Sequence, residues 1–337
     1  MSVTELRKAA KAQKIPLYTT MNREHLESAV STDMLSIGWR WNYIKPHIAQ
    51  SEHREVMRLL LGPVRDLTRH KKVMDYLKKH EVHTTMTTSP ERLHRIRAVL
   101  ATLDLTYITR INVVLPYLYG RDKKPYDEAI IKEIATFPKV RIVRTKKDYG
   151  PITKMLPVLR MIKDPKAIVI SIDDDVGYPI GMVNELIYVK VKRHPNAIVE
   201  TTEGLNPREW IENFKEVWPQ KRKPRIPYAD LVEGWMGVAY SKNVVDLEKM
   251  EKVSNTSKEC FLSDDIVISY VLAKNNVPVV RLFNKYAGFP YSYLYGTGDD
   301  ALMRGGGMGQ VVDVAHLSDE YNLKKYEICL DGIKHNK

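Results

Sequence analysis

From residue 81 onward, short apolar runs alternate with stretches whose apolar positions recur every three or four residues. This alternation predicts successive strand–helix units. Residues 82–87, 111–115 and 140–144 are rich in Val, Ile and Thr and read as strands. The intervening helices are expected from Ser89, Pro90 and Glu91 to about Leu103, over 126–136 and over 151–162. Pro90 and Pro151 both suit a first helical turn. The run 167–172, AIVISI, is apolar but for Ser171, the pattern of a strand buried on both faces inside a parallel sheet. A further short strand-like run falls at 279–282. Repeated units of this kind predict an α/β fold, a mostly parallel sheet with helices on both faces.

The first 80 residues are patterned differently. Thr4 is placed to cap a helix through Lys11, Ile15-Pro16 forces an extended segment, and Thr20 or Asn22 opens a second helix. This helix–extended–helix arrangement resembles the SAP-like and Rho-N-terminal-like modules. The likeness implies a small unit over 1–32 of a kind that touches nucleic acid or serves for docking. Residues 33–80 are rich in Trp, Arg and Leu, helical in pattern and broken at Gly62-Pro63. Trp39 and Trp41 are expected to anchor this connector onto a main domain over 81–318, followed by a C-terminal tail over 319–337.

Composition adds a bias toward anionic partners. The 337 residues carry 53 Lys and Arg against 41 Asp and Glu, a net charge of +12. Residues 1–80 hold fifteen basic and eight acidic side chains, a net of +7. Such an excess favours nucleotide phosphates, an anionic membrane surface or nucleic acid. Cys260 and Cys329 are the only cysteines, so no disulfide framework is expected and a reducing compartment fits. The charged first residues lack an apolar signal core, and no apolar run approaches the ~20 residues that span a bilayer. The expectation is a cytoplasmic chain with no transmembrane segment.

The chemistry concentrates at four places. The 167–172 run leads straight into Asp173, Asp174 and Asp175, at the strand end where open α/β sheets bind ligands. Three adjoining carboxylates repel one another and need a cation, for which a hard divalent ion holding a phosphate is the natural candidate. The stretch DYGPITK at 148–154 follows the third strand. There Gly150 permits a tight turn, a helix start offers free N–H groups, and Lys154 stands one turn in, so an anion site is expected. In FLSDDIVIS, Ser263 is placed to cap a helix whose first turn holds Asp264 and Asp265. Acids there favour the helix dipole, and they also furnish a rigid carboxylate able to take a proton from a hydroxyl. In VEGWMG, Trp235 stands between two glycines, either as core or as an indole stacked on a sugar face. A P-loop sequence is absent, and the loose dinucleotide-type match at 296–301 sets two carboxylates where a pyrophosphate needs N–H groups.

In their order, DYGPITK, SIDDDVGYP, VEGWMG and FLSDDIVIS resemble the GT-A glycosyltransferases, and the likeness covers roughly 81–318. It implies a nucleotide-sugar donor (UDP- or GDP-sugar), Mn²⁺ or Mg²⁺, and a glycan or glycoprotein acceptor. It implies that Asp175 binds the metal, that Asp173 touches metal or ribose, that Asp174 supports them, and that His316 is a further ligand. Asp148 and Lys154 are the implied contacts to nucleoside and phosphates, with Thr87, Thr88 and Arg92 in the nucleotide-contacting loop. Asp265, or failing it Asp264, is similar to the general base of inverting members. Glu233, Gly234 and Trp235 are placed toward the acceptor, and the glycine-rich stretch 295–310 is expected to order over bound donor. Two other classes stay open: metal-dependent nucleotidyl transfer, which also uses clustered aspartates, and nucleic-acid binding through the basic residues 1–80.

Overall fold

The computed structural model describes residues 2–12, 40–41, 43–45, 53–62, 64–201, 228–229, 231–232, 234–282, 292–293 and 317–335. Four strands are parallel neighbours in the order β3-β2-β1-β4: β1 (Val82–Thr87), β2 (Arg110–Pro116), β3 (Val140–Thr145) and β4 (Ile168–Ser171). The sheet continues through β8 (Val238–Ser241), β6 (Ile198–Glu200), β9 (Val279–Arg281) and β7 (Tyr228–Ala229), giving eight strands among the described residues. β8 runs antiparallel to both β4 and β6, while β6 and β9 are parallel. A separate antiparallel pair joins β5 (Val176–Gly177) to β10 (Ser292–Tyr293). The expected α/β sheet with a parallel core is present, and the reversed β8 at its centre is an addition.

Both faces of the sheet are buried, as the unbroken apolar pattern of β4 predicts. Ile168 and Ile170 point into one core and Val169 into the other. The first core holds α2 (His53–Leu60), α3 (Lys71–Leu77), α4 (Ile96–Thr102), α5 (Glu128–Ile134) and α7 (Met182–Lys192). The second holds α6 (Leu156–Met161), α8 (Leu247–Ser254), α9 (Lys258–Phe261), α10 (Asp264–Lys274) and α11 (Leu317–His335). Trp41 is buried in the first core with its ring edge-on to His53, and Arg40 beside it donates to the carbonyl of Ala101 at 2.7 Å. Trp39 lies outside the described residues.

Several local expectations are corrected. The N-terminal helix α1 (Val3–Ala12) is capped by Ser2 rather than Thr4: Ser2 Oγ accepts from Glu5 N, and Glu5 Oε2 accepts from Ser2 N at 2.6 Å. The helix expected from Ser89 starts at Ile96, because Thr88 and Arg92 turn away to meet aspartates after β4. The helix expected over 151–162 is split into a tight turn, Gly150–Lys154, and α6. Pro157, in the first turn of α6, cannot carry the earlier turn forward as one helix. The two cysteines, from which no disulfide framework was expected, are bonded to each other, fastening α9 to α11 across 69 positions of sequence. Among the described residues, no helix is long and apolar enough to cross a membrane.

Candidate active site

The site sits at the carboxyl ends of β1 and β4, where their chain directions bring three loops and one helix start together. β4 ends at Ser171, and the chain turns through Asp173–Asp174–Asp175 into β5. Tyr178 holds that turn from beneath: its hydroxyl accepts from Asp173 N at 2.8 Å and donates to the carbonyl of Trp235 at 2.6 Å. Burial and the nearby Asp173 push the Tyr178 phenol well above its ordinary range, so it stays protonated and able to donate.

The cations that offset the aspartates come from the chain itself. Arg92 Nη2 lies 2.8 Å from Asp174 Oδ1 and 2.5 Å from Asp175 Oδ2. Thr88 Oγ1 donates to Asp174 Oδ2 at 2.5 Å, and Tyr126 fixes that loop by donating to the Thr88 carbonyl. Lys154 Nζ is 2.8 Å from Asp173 Oδ1 and 2.8 Å from Asp264 Oδ2. Burial alone would strip the Lys154 proton, yet Asp173, Asp264 and Asp265 outweigh it and hold the ammonium well above its usual pKa. Burial, against the pull of Arg92 and with the repulsion of Asp175, pushes the Asp174 carboxyl up to about 6. Asp175 is raised for the same first cause.

The acids of α10 are held from the opposite side. Asp265 Oδ1 accepts from Gly234 N at 2.8 Å, and burial with the charge of Asp264 raises its pKa well above the carboxylate range. A Cβ on Gly234 would stand 3.0 Å from Lys154 Nζ and 3.1 Å from Asp265 Oδ1, so glycine lets the backbone reach the cluster. Ser263 precedes the helix but makes no side-chain cap, contrary to expectation. Asp148 is tied into the loop after β3: its Oδ2 accepts from Gly120 N at 2.6 Å and its Oδ1 from Gly150 N at 2.8 Å. Gly150 has φ +69°, and a Cβ there would lie 2.1 Å from the Phe261 carbonyl, which seats this loop against α9.

The structure therefore brings together Thr88, Arg92, Lys154, Asp173, Asp174, Asp175, Gly234, Trp235, Asp264 and Asp265. Thr87 donates to the Val114 carbonyl inside the sheet, and Asp148 accepts from Gly120 N, Gly150 N and Thr153 Oγ1. His316, Glu233 and the 295–310 stretch lie outside the described residues. Tyr178 escaped the sequence reading, although its place between Gly177 and Pro179 just past three aspartates marks a buried ring with a polar tip. Lys325 escaped it too. This lysine of α11 is only 8% exposed, on a helix face where the pattern calls for apolar residues.

The oxygen donors suit a hard cation. Asp173 and Asp175 are the more open of the three acids, with side chains 30% and 20% exposed against 10% for Asp174. Among the described residues no group of three or more His, Cys, Asp or Glu is gathered to hold a metal by protein ligands alone. Two carboxylates completed by substrate phosphates is a common Mg²⁺ arrangement. A cavity of about 490 Å³ opens elsewhere, at the amino ends of the strands, lined by His80, His83, Arg141 and Asp164. It holds none of the clustered aspartates and is not the candidate site.

No family model matches the chain, and no curated protein matches it. Among solved structures, it is similar to glucosyl-3-phosphoglycerate synthase from Mycobacterium tuberculosis in complex with Mn²⁺, UDP and glucosyl-3-phosphoglycerate. That match has 12% identity over 80% of this chain and 85% of that one, with a TM-score of 0.45. The same enzyme with Mg²⁺ and UDP matches at 13% identity over 68% of this chain and 76% of that one, TM-score 0.42. A 4-diphosphocytidyl-2C-methyl-D-erythritol synthase from Anaerococcus prevotii matches at 15% identity over 61% of this chain and 89% of that one, TM-score 0.37.

Proposed function

We propose that the chain is a metal-dependent glycosyltransferase of the GT-A type, moving a sugar from a UDP- or GDP-sugar to an acceptor hydroxyl with inversion at the anomeric carbon. One observation carries this reading. A single buried ammonium, Lys154, joins the aspartate loop after β4 to the aspartate pair opening α10. Donor-side and acceptor-side acids thus share one site, as a transfer between two substrates requires.

Asp173 and Asp175 are the residues that would hold Mn²⁺ or Mg²⁺, and the ion when bound supplies positive charge to the departing nucleoside diphosphate. Arg92 and Lys154 set two further positive charges beside the same loop, where phosphate charge grows in the transition state. Asp265 takes the proton of the acceptor hydroxyl. The Gly234 N–H fixes its orientation and favours its ionised, proton-accepting form. Asp264, paired with Lys154, keeps the helix start anchored to the donor side. Gly234 lies beside Lys154 and Asp265 on the acceptor side, while Trp235 packs partly buried against the first core, and the acceptor is a glycan or a small hydroxylated molecule.

A thermal-shift screen of UDP-, GDP- and CMP-sugars with and without Mn²⁺ tests the reading. A nucleotide sugar at a hundred times its Kd stabilises by about 2.7 kcal/mol. A shift that needs both sugar nucleotide and Mn²⁺, and that Asp175→Asn abolishes, supports the proposal. Response to nucleoside triphosphates alone points to nucleotidyl transfer, and no nucleotide response in either protein overturns the reading. An NMR assignment of the product anomer decides the stereochemistry: retained configuration removes Asp265 as the base.

A further inference from the structure

The sheet face that meets the second core changes character along its length. Val114 and Val169 are buried there, and Val143 packs on them. Nearer the amino ends the same face carries His83 on β1, Arg110 and Asn112 on β2, and Arg141 on β3. Residues two apart on a strand share a face, His83 stands in register with Arg110 and Val169, and Asn112 with Arg141. Polar groups turned inward need polar company. Instead, the cavity of about 490 Å³ opens over them, with His83 and Arg141 in its wall and Lys163, just past the end of α6, beside them. That volume falls in the range of small-molecule sites.

The pairs at this end are closed, yet they leave bonding capacity over. His83 is 2% exposed, its Nε2 lies 3.0 Å from Glu81 Oε2, and its buried Nδ1 has no hydrogen-bond partner among the described residues. Burial lowers the ring's pKa and keeps it neutral at pH 7. An N–H on Nε2 aimed at the carboxylate leaves a lone pair on Nδ1, which calls for a donor. Arg141 directs Nε and Nη2 at the Asn112 amide oxygen, at 2.9 Å and 2.5 Å, and makes no salt bridge among the described residues. Arg110, on the neighbouring strand, adds a like charge to it. The Lys163 ammonium makes neither a hydrogen bond nor a salt bridge among the described residues, and Lys79 at the same rim makes no salt bridge. The two acids of the cavity, Glu81 and Asp164, are already engaged by His83 and His80.

We propose that this cavity is a second binding site, for a small anion that carries a hydroxyl. Its phosphate or carboxylate meets Arg141, with Lys163 and Lys79 at the rim, and its hydroxyl donates to His83 Nδ1. A water molecule would satisfy Nδ1 alone, whereas the cations that face the same space favour a charged ligand. The site stands at the opposite end of the sheet from Asp173, Asp174 and Asp175, so it is independent of the glycosyltransferase reading.

The test titrates the full-length protein by calorimetry, at constant ionic strength, with glycerol 3-phosphate, ethyl phosphate, lactate and glycerol. The wild type is expected to bind glycerol 3-phosphate about 5-fold more tightly than ethyl phosphate, which has the charge without the hydroxyl. Glycerol, which has hydroxyls without the charge, should give no response. Arg141→Gln should weaken glycerol 3-phosphate ~10- to 100-fold. Lys163→Gln, an exposed change that leaves the fold intact, should weaken it by a few fold. His83→Phe should erase the preference over ethyl phosphate while ethyl phosphate itself stays within about twofold. A stronger response to glycerol 3-phosphate than to lactate makes the anion a phosphate, the reverse a carboxylate, and either supports the site. No response to any of the anions overturns the proposal, as does an affinity unchanged in both Arg141→Gln and Lys163→Gln. Equal wild-type affinity for glycerol 3-phosphate and ethyl phosphate overturns it as well, because the ligand then needs no donor. Weakening by Arg92→Gln but not by Lys163→Gln places the anion at the aspartate loop and overturns it too.

Discussion

At their amino ends the parallel strands carry polar side chains paired with near neighbours. His80 meets Asp164 at 2.8 Å, His83 meets Glu81 at 3.0 Å, and Arg141 donates to Asn112 at 2.9 Å. At their carboxyl ends the aspartates 173, 174, 175, 264 and 265 crowd around Lys154 and Arg92. One sheet supports both ends, so the difference does not come from the scaffold. A matched pair is finished when the chain has folded. A cluster of carboxylates crowded together at a partly open strand end is a place where a further positive group can bind, which is why such charge sets mark sites.

Breaking the balance at the carboxyl end should have the largest consequence. Lys154→Met leaves the part-buried Asp173 and Asp264 without their shared cation and should lower stability by about 3 kcal/mol, the lower end for a broken buried pair, read by urea unfolding. Asp175→Asn sharpens the contrast from the other direction. Sugar transfer should fall about 10³-fold, roughly 4 kcal/mol of barrier, while metal-free stability holds or rises because one repelling charge has gone. A variant that loses activity and stability together would make Asp175 structural. Asp265→Asn should cost about 10²-fold in kcat with the nucleotide-sugar Kd unchanged, measured by steady-state kinetics beside a binding titration.

The amino end should respond weakly. Burial holds His83 below the ordinary imidazole pKa, so the folded chain binds this proton less readily than the unfolded chain. Its contribution is present above pH ~6.5 and is lost as pH falls through the lowered folded value. His83→Gln should flatten the fall in melting temperature as the pH drops below about 6.5, while leaving the neutral-pH value nearly unchanged. A steeper fall in the variant would reverse the sign assigned to that histidine.

Much of the parallel half was legible because its signals are local. β1 to β4 appear where β-branched runs stand, since strands buried on both faces need little more than unbroken apolar character. The aspartate loop was legible for the same reason. Its counter-charges were not. Arg92 and Lys154 meet Asp174, Asp175, Asp173 and Asp264 from up to 110 positions away in sequence, a pairing that only the folded topology specifies. The reversal of β8 is invisible in a short apolar run, because periodicity carries no direction. Two cysteines 69 positions apart could not announce a bond, since spacing alone does not separate paired from free thiols. Lys325 did leave a trace, a lone cation on an apolar helical stripe.

The Cys260–Cys329 bond also changes the connectivity of the chain. It turns residues 260–329 into a covalent ring that contains the α10 acids and the turn bearing Lys325. Closing a ring of this size restricts the unfolded chain by roughly 4 kcal/mol in the loop-entropy picture. A protease that cuts once anywhere inside the ring leaves two pieces that migrate as one until a reductant is added. The C-terminal helix would then stay tethered to the base-bearing helix even after the backbone between them had been severed.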